Sequence, residues 1–479
     1  MRLLLLVCCI VVSATILKAS PVVEVKVAKS GKQYLAYDQR PLLAFGPGDE
    51  NRLISAIDHA KVERWARWQR QNGMNLLRAY PTCVPLPGSL APFKSKDGKW
   101  DVDAWNDDYF RNISQTISIL ERNGIILHLQ LWQIVWFKED KPDRWAANFL
   151  NPANNINDWT KAYPHGSDYM NAPSDSPAGR HRKAWVMHIL GAVKGHKNVW
   201  IDVINELGNG GIGDMKWASE VVSWIREWEK TSEQKLLVGV DMCNFDAQAF
   251  GSYQKDYDLL IFNELHRDEV LGAIRQFHKP AVTVRSSDGS NRMEDYLFLN
   301  AASVGPEHQT RYRTLCYRSI FSGVQSIGAY WKPDESEVDY KDMKDLPRYS
   351  RFLRKFWQKL SPEWPNLVAD DSIVTQAVTP YAYGLRSDHL YAVYLECGPH
   401  ASGNTYAPSN ISVRCPFPEF RTELFEPRTG KSLVGKATRQ GDSVAIELPE
   451  FTEDIVVLIW AADYNANEIP DGRLKPQSK

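Results

Sequence analysis

Apolar positions in the middle of this chain alternate between helical and strand spacing. Between residues 61 and 72, Val62, Trp65 and Trp68 recur at helical intervals, Gly73 stops the run, and a strand over 75–79 follows at once. Phe110, Ile113, Ile117 and Leu120 form one stripe over 107–123, Gly124 ends it, and 125–131 is the next apolar run. Both joints read helix, Asn-Gly, strand; glycine suits the position after a helix because φ there is usually positive. The alternation continues with helix 184–194 into strand 199–206. Helix 216–230, with Trp217, Val221, Trp224 and Trp228 on one face, leads to strand 236–241. Strand 259–263, a helix ending near His278, strand 281–284, helix 308–322, strand 324–331 and helix 347–360 complete the series. With 42–45 at the front, eight strands alternate with helices, which predicts an α/β chain folded as a closed (β/α)₈ TIM barrel. An open doubly wound sheet is the alternative, but no Gly-x-Gly-x-x-Gly turn follows the first strand.

From about residue 370 the texture changes. Short apolar runs at 373–378, 382–385, 390–395, 411–413, 421–425, 443–448 and 455–460 sit between Gly, Pro, Asn and Asp, with no helical period. They predict a small antiparallel β-sandwich. The expected organisation is a signal peptide over 1–20, the barrel as catalytic domain over 21–365, the sandwich over 370–465 and a disordered polar tail over 466–479.

The signal reading rests on Arg2 followed by an almost unbroken apolar run over 3–17 and the small residues Ala19 and Ser20. That run is too short to span a bilayer comfortably, so cleavage is expected, with no integral membrane segment afterwards and a secreted or periplasmic location. The net charge of -1 gives no basic surface for nucleic acid or an anionic membrane. Cys8 and Cys9 would leave with the signal, and Cys83, Cys243, Cys316, Cys397 and Cys415 are too scattered for a disulfide framework, though Cys397 and Cys415 are close enough in sequence to bridge neighbouring strands. No His/Cys spacing suggests zinc, and no metal or organic cofactor is expected. Asn112-Ile-Ser and Asn410-Ile-Ser match the glycosylation acceptor pattern.

The candidate chemistry lies at the strand ends. The run Val199-Trp-Ile-Asp-Val-Ile ends in Asn205-Glu206, and Gly208, Gly210 and Gly211 follow. A carboxylate at the C-terminal end of a buried parallel strand is where α/β barrels place catalytic groups. The same rim would hold Asp49, Arg78, His128, Trp132, Asp241, Asn263, Glu264, His266, Arg285, Asp288, Trp331 and Asp334. Polar groups interleaved with tryptophan suit a carbohydrate: hydroxyls need hydrogen-bond partners, and sugar faces need aromatic platforms. The 17 Trp and 20 Tyr fit that use, although Trp217, Trp224 and Trp228 share a helix stripe that reads as core. His128, inside its strand, is equally a core histidine or a substrate contact. The long segment 145–180, with Trp159, Tyr163, His165 and Tyr169, is expected to wall the cleft.

Asn205-Glu206, Arg78 and Trp331, in this order and spacing, resemble the clan A glycoside hydrolases, the cellulase-like families most of all. The opening Tyr34-Leu-Ala-Tyr-Asp-Gln-Arg-Pro-Leu-Leu resembles the leader hairpin of such enzymes, and Phe425-Glu-Pro-Arg-Thr-Gly resembles a turn in the sandwich that often trails them. The resemblance implies a carbohydrate substrate, with Glu206 as general acid/base, Asn205 at the sugar 2-hydroxyl, Arg78 near the nucleophile and Trp331 as a platform. One part departs. The family's seventh strand opens Lys-Pro and ends in a nucleophilic Glu, whereas Lys279-Pro280-Ala-Val-Thr-Val leads here to Arg285. An arginine stays protonated and cannot attack. Glycoside cleavage takes two carboxyl groups, one held protonated and the other ionised. Glu264 is the preferred partner of Glu206 and Asp288 the next, while Asp241 sits too close and to the side. Glu264 could instead form an ion pair with Arg78 or Arg285. His266, Trp132 and Asp288 are further candidate substrate contacts. The reading is a secreted glycoside hydrolase; the alternative is a non-catalytic carbohydrate-binding protein on a degenerate barrel, which Arg285 favours.

Overall fold

The computed structural model describes residues 22–48, 51–242, 245–263, 267–284, 299–300, 306–332, 345–397 and 403–464. Eight parallel strands carry the first part of the chain. In order they are Ala44–Gly48, Leu76–Ala79, Ile126–Gln130, Val199–Asp202, Leu237–Gly239 continued as Asp241–Met242, Leu260–Phe262, Ala281–Thr283 and Val324–Lys332. Each of the second to fourth pairs in parallel with the next, as do the later ones, and the eighth pairs with the first over Ser326–Tyr330 and Ala44–Gly48. Between the first and second strands, the Asn75 N–H donates to Phe45 O at 3.0 Å. Gly46 is required at this crossing, because a Cβ there would stand 2.2 Å from Leu76 O.

Helices Asp107–Arg122, Pro177–Val193 and Met215–Ser232 follow the second to fourth strands, each started by a side-chain cap from Asn106, Ser176 and Asp214. The two Asn-Gly joints behave as expected, with Gly73 at φ +78° and Gly124 at +69°. Leu76, Ile126, Trp200, Leu237, Ile261 and Val282 share one core with Val23, Leu35 and Leu42 of the leader. The hairpin Val23–Val27/Gln33–Tyr37 is therefore a plug at the N-terminal ends of the strands, anchored where Val23 N–H donates to Lys197 O at 2.9 Å. Full burial of each large side chain here contributes about 1.5–3 kcal/mol, so the pattern that marks the strands also holds the plug.

After residue 367 the elements are antiparallel. A six-stranded and a four-stranded sheet share one apolar core that includes Val393, Leu395, Ile411, Val413, Val444, Ile446, Val457 and Ile459, the arrangement of a β-sandwich. Helix Pro306–Phe321 joins the two parts by buried charge. Arg313 meets Glu453 at 2.6 Å and Asp454 at 3.0 Å, and Arg318 meets Glu396 at 2.6 Å. Tyr394 and Tyr383 hydroxyls donate to Asp454 and Glu396, so the remaining acceptor capacity is partly used as well.

Several expectations need correction. The fourth strand stops at Asp202, four residues before Glu206. The helix expected from 184 starts at Pro177, after the Ser176 cap. A hairpin, Phe93–Lys96 and Lys99–Trp105, intervenes after the second strand, and Lys431–Val434 and Lys436–Gln440 are further strands whose exposed residues hide the apolar alternation. Cys397 and Cys415 are buried and not joined to each other, so the suggested bridge is absent. Asn112 is buried and its amide donates to Ala56 O at 2.9 Å, which removes it as a glycan acceptor in the folded chain. Residues 1–20, Asp49, Cys243 and the polar tail lie outside the described residues.

Candidate active site

Beyond Asp202 the fourth strand loses its regular ladder but keeps its direction. Asn205 N–H donates to Trp132 O at 3.0 Å, and Leu207 N–H to Asp241 O at 2.7 Å. Between these two anchors Glu206 is held at φ +57°. That left-handed conformation costs a non-glycine residue roughly 1–3 kcal/mol and persists where its surroundings over-determine it, most often at functional sites. The half-buried Glu206 carboxylate accepts from Asn209 Nδ2 at 2.6 Å, and Asn209 Oδ1 accepts from Lys138 Nζ at 2.9 Å.

Beneath Glu206 lies a buried polar network. Arg78, 1% exposed, donates to Asn205 Oδ1 and pairs with Asp241 at 3.3 Å. Asn263 also donates to Asp241, at 3.3 Å. One layer down, Asp202 accepts from Gln130 at 3.1 Å, from His128 Nε2 at 3.2 Å and from the Asp241 N–H at 3.1 Å. Burial lowers the His128 pKa despite Asp202 beside it, so His128 is a neutral donor at neutral pH. Since arginine only donates, Asn205 turns its oxygen to Arg78 and its Nδ2 away from it.

The structure thus gathers Arg78, Asn205, Glu206 and Asp241. Arg78 is answered by Asp241, which fills the role considered for Glu264; Asp241 is a buried structural carboxylate. Of the expected substrate contacts, His128 is 1% exposed and held by Asp202, and Trp132 is 2% exposed with its ring 5.6 Å from that of Trp217. Glu264, His266, Asp288 and Arg285 lie outside the described residues. The backbone of Trp331 lies in the eighth strand, opposite Leu299. Among the described residues no group of three or more His, Cys, Asp or Glu is placed to hold a metal ion, and no helix is long and apolar enough to cross a membrane.

Sequence reasoning missed Lys138, Gln130, Asp202 and Asn209. Asp202 and Gln130 were visible as polar residues inside apolar strand runs, a pattern that marks a buried network. Lys138 belongs to the long insertion after the third strand, which folds into short helices over Pro142–Ala147, Asp158–Ala162 and Gly166–Asn171. The insertion pairs with the Phe93–Trp105 hairpin, since Ile156 N–H donates to Trp100 O at 2.9 Å and Trp100 N–H to Asn154 O at 2.9 Å. Phe93, Trp105, Phe149, His181 and Trp185 pack between them. Trp136 stays half-buried beside Tyr80, with the Arg144 guanidinium 5.0 Å from its ring.

No family model and no curated protein matches this sequence. Solved structures do match in fold. One, described only as a glycoside hydrolase, is 11% identical with a TM-score of 0.60, over 92% of this chain and 98% of its own. More particularly, a glycoside hydrolase family 5 protein from Bacteroides vulgatus is 12% identical at TM-score 0.59, over 92% and 94%. A putative glycoside hydrolase from the same organism is 13% identical at 0.59, over 92% and 82%. At these identities the likeness is one of fold.

Proposed function

We propose that the protein is a secreted glycoside hydrolase that cleaves O-glycosidic bonds of a poly- or oligosaccharide, with Glu206 as general acid/base. The organisation proposed with it is a signal peptide over 1–20, a closed (β/α)₈ catalytic domain over 21–365 and the sandwich over 370–465. The observation that carries the reading is Glu206 itself: a half-buried carboxylate in left-handed backbone at the strand ends, above the Arg78–Asn205–Asp241 network. Protonated, Glu206 gives its proton to the leaving oxygen as the glycosidic bond breaks. A second carboxylate meets the positive charge that develops at the sugar carbon, directly or by activating a water. Glu264 is the proposed second group, with Asp288 next. Asn205 Nδ2, turned away from Arg78, is the proposed donor to a sugar hydroxyl, and Trp331 and His266 the proposed further contacts. No metal or cofactor enters these steps.

Arg285, standing where the resemblance to clan A glycoside hydrolases would put the nucleophile, favours a second reading: a carbohydrate-binding protein without turnover. Reducing-end release from a panel of soluble β- and α-linked glycans, run beside calorimetric binding to the same panel, separates the two. The hydrolase reading expects release from at least one glycan that also binds. Binding with no release from any member overturns it in favour of the second.

A further inference from the structure

We propose that Asn209, oriented by Lys138, is a positioning residue that decides which oxygen of Glu206 carries the catalytic proton, an assignment that rests on Glu206 being the proton donor. The direction of the relay follows from donor chemistry. The Lys138 ammonium has only donors, so the Asn209 group 2.9 Å away is its oxygen, and the amide nitrogen is the group 2.6 Å from Glu206 Oε2. An N–H on Oε2 is satisfied by a carboxylate and equally by the carbonyl oxygen of a neutral acid. A proton on Oε2 weakens that contact, so Asn209 favours the acid proton on Oε1.

The surrounding loop is built to hold this contact. Gly208, Gly210, Gly211 and Gly213 all have positive φ, and Asn209 N–H closes the turn on Glu206 O at 3.0 Å. The Lys138 stem lies across Gly210, where a Cβ would stand 3.3 Å from its Cε. From the same insertion Asn171 grips the loop on its other side, donating to Gly211 O at 2.9 Å and accepting from Gly213 N–H at 2.8 Å. The insertion is thus a clamp on the acid, beyond any role as a wall.

The clamp also sets proton affinity. Amide donation favours the ionised carboxylate, and the Lys138 charge acts in the same direction, partly offset by Asp140 at 3.4 Å. Among the described residues, the charged groups of the network below are Arg78 on the second strand, Asp241 on the fifth and Asp202 on the fourth strand itself.

The test is a pH titration of the Glu206 carboxyl carbon by NMR in the full chain, with Glu206→Gln to assign the signal, alongside Asn209→Ala and Lys138→Met. Asn209→Ala is expected to raise the midpoint by about 1 pH unit, the equivalent of one lost hydrogen bond to a charged group. Lys138→Met should raise it less. The alkaline limb of kcat/KM should follow the midpoint, with kcat falling more than KM changes. Asn209→Asp keeps the Lys138 contact and places a like charge at Oε2, so it should raise the midpoint furthest. An unmoved midpoint in both Asn209 variants, with native circular dichroism, overturns the proposal even if the enzyme turns over. A midpoint that moves as expected in a protein that releases no sugar sustains the relay and removes the hydrolase reading instead.

Discussion

Replacing Asp241 by leucine probes the floor of the site directly. Arg78 is 1% exposed and Asp241 fully buried, with their nearest atoms 3.3 Å apart. At an effective dielectric of about 20 that pair attracts by about 5 kcal/mol, and loss of one partner from a buried pair typically costs about 3–5 kcal/mol because the other charge is stranded. Asp241→Leu should therefore lower unfolding free energy in urea by about 3–5 kcal/mol. Arg78→Met alone should cost a similar amount, since Asp241 then loses the guanidinium 3.3 Å away while the Asn263 amide, also at 3.3 Å, stays. The double variant should recover much of the loss, giving a coupling of about 2 kcal/mol or more in a double-mutant cycle. Single costs below about 1 kcal/mol that simply add in the double variant would refute the pairing. Arg78 would then be neutralised by another group, and Asn205 would be oriented by something else.

Other outcomes follow from the same structure. Gly430 has φ +67° and a Cβ there would lie 2.3 Å from the Phe352 ring, so Gly430→Ala should cost about 2–4 kcal/mol, read from the urea midpoint. Burial pushes His181 down to about 4, with Tyr169 donating to its Nδ1. The unfolded chain then binds the extra proton first, so stability falls as pH drops from about 6.5 towards 4, by at most about 3 kcal/mol. His181→Gln should flatten that part of the stability–pH curve. Arg313→Met removes the guanidinium that Glu453 and Asp454 share and should cost at least about 3 kcal/mol, with protease cleavage appearing near residue 453.

Much of the scaffold could be read from periodicity alone, because strands buried on both faces must be continuously apolar and their helices need one apolar stripe. Glu206 could be found because a carboxylate at the end of such a run has no packing role to fill. Its left-handed backbone has no sequence signature, so the apolar run continues to Glu206 while the regular strand ends at Asp202. The Phe93–Trp105 hairpin was legible and overlooked: Asp97-Gly98, both at positive φ, is a favoured two-residue turn. The Arg78–Asp241 pair was illegible, since it joins residues 163 apart through the sheet and not through the sequence. Lys138 and Asn209 were hidden for the same reason, lying on separate loops that meet only after folding.

The central claim is that Glu206 donates the proton, and turnover by Glu206→Gln tests it most directly. The amide keeps the size and the Asn209 contact but has no acid proton to give. With wild-type chain hydrolysing a glycan found in the panel, Glu206→Gln is expected to lose about 10²–10⁴-fold in kcat while glycan affinity stays near that of wild type. A variant that retains more than about a tenth of wild-type kcat would contradict the assignment and pass the acid's role to another carboxylate at the strand ends.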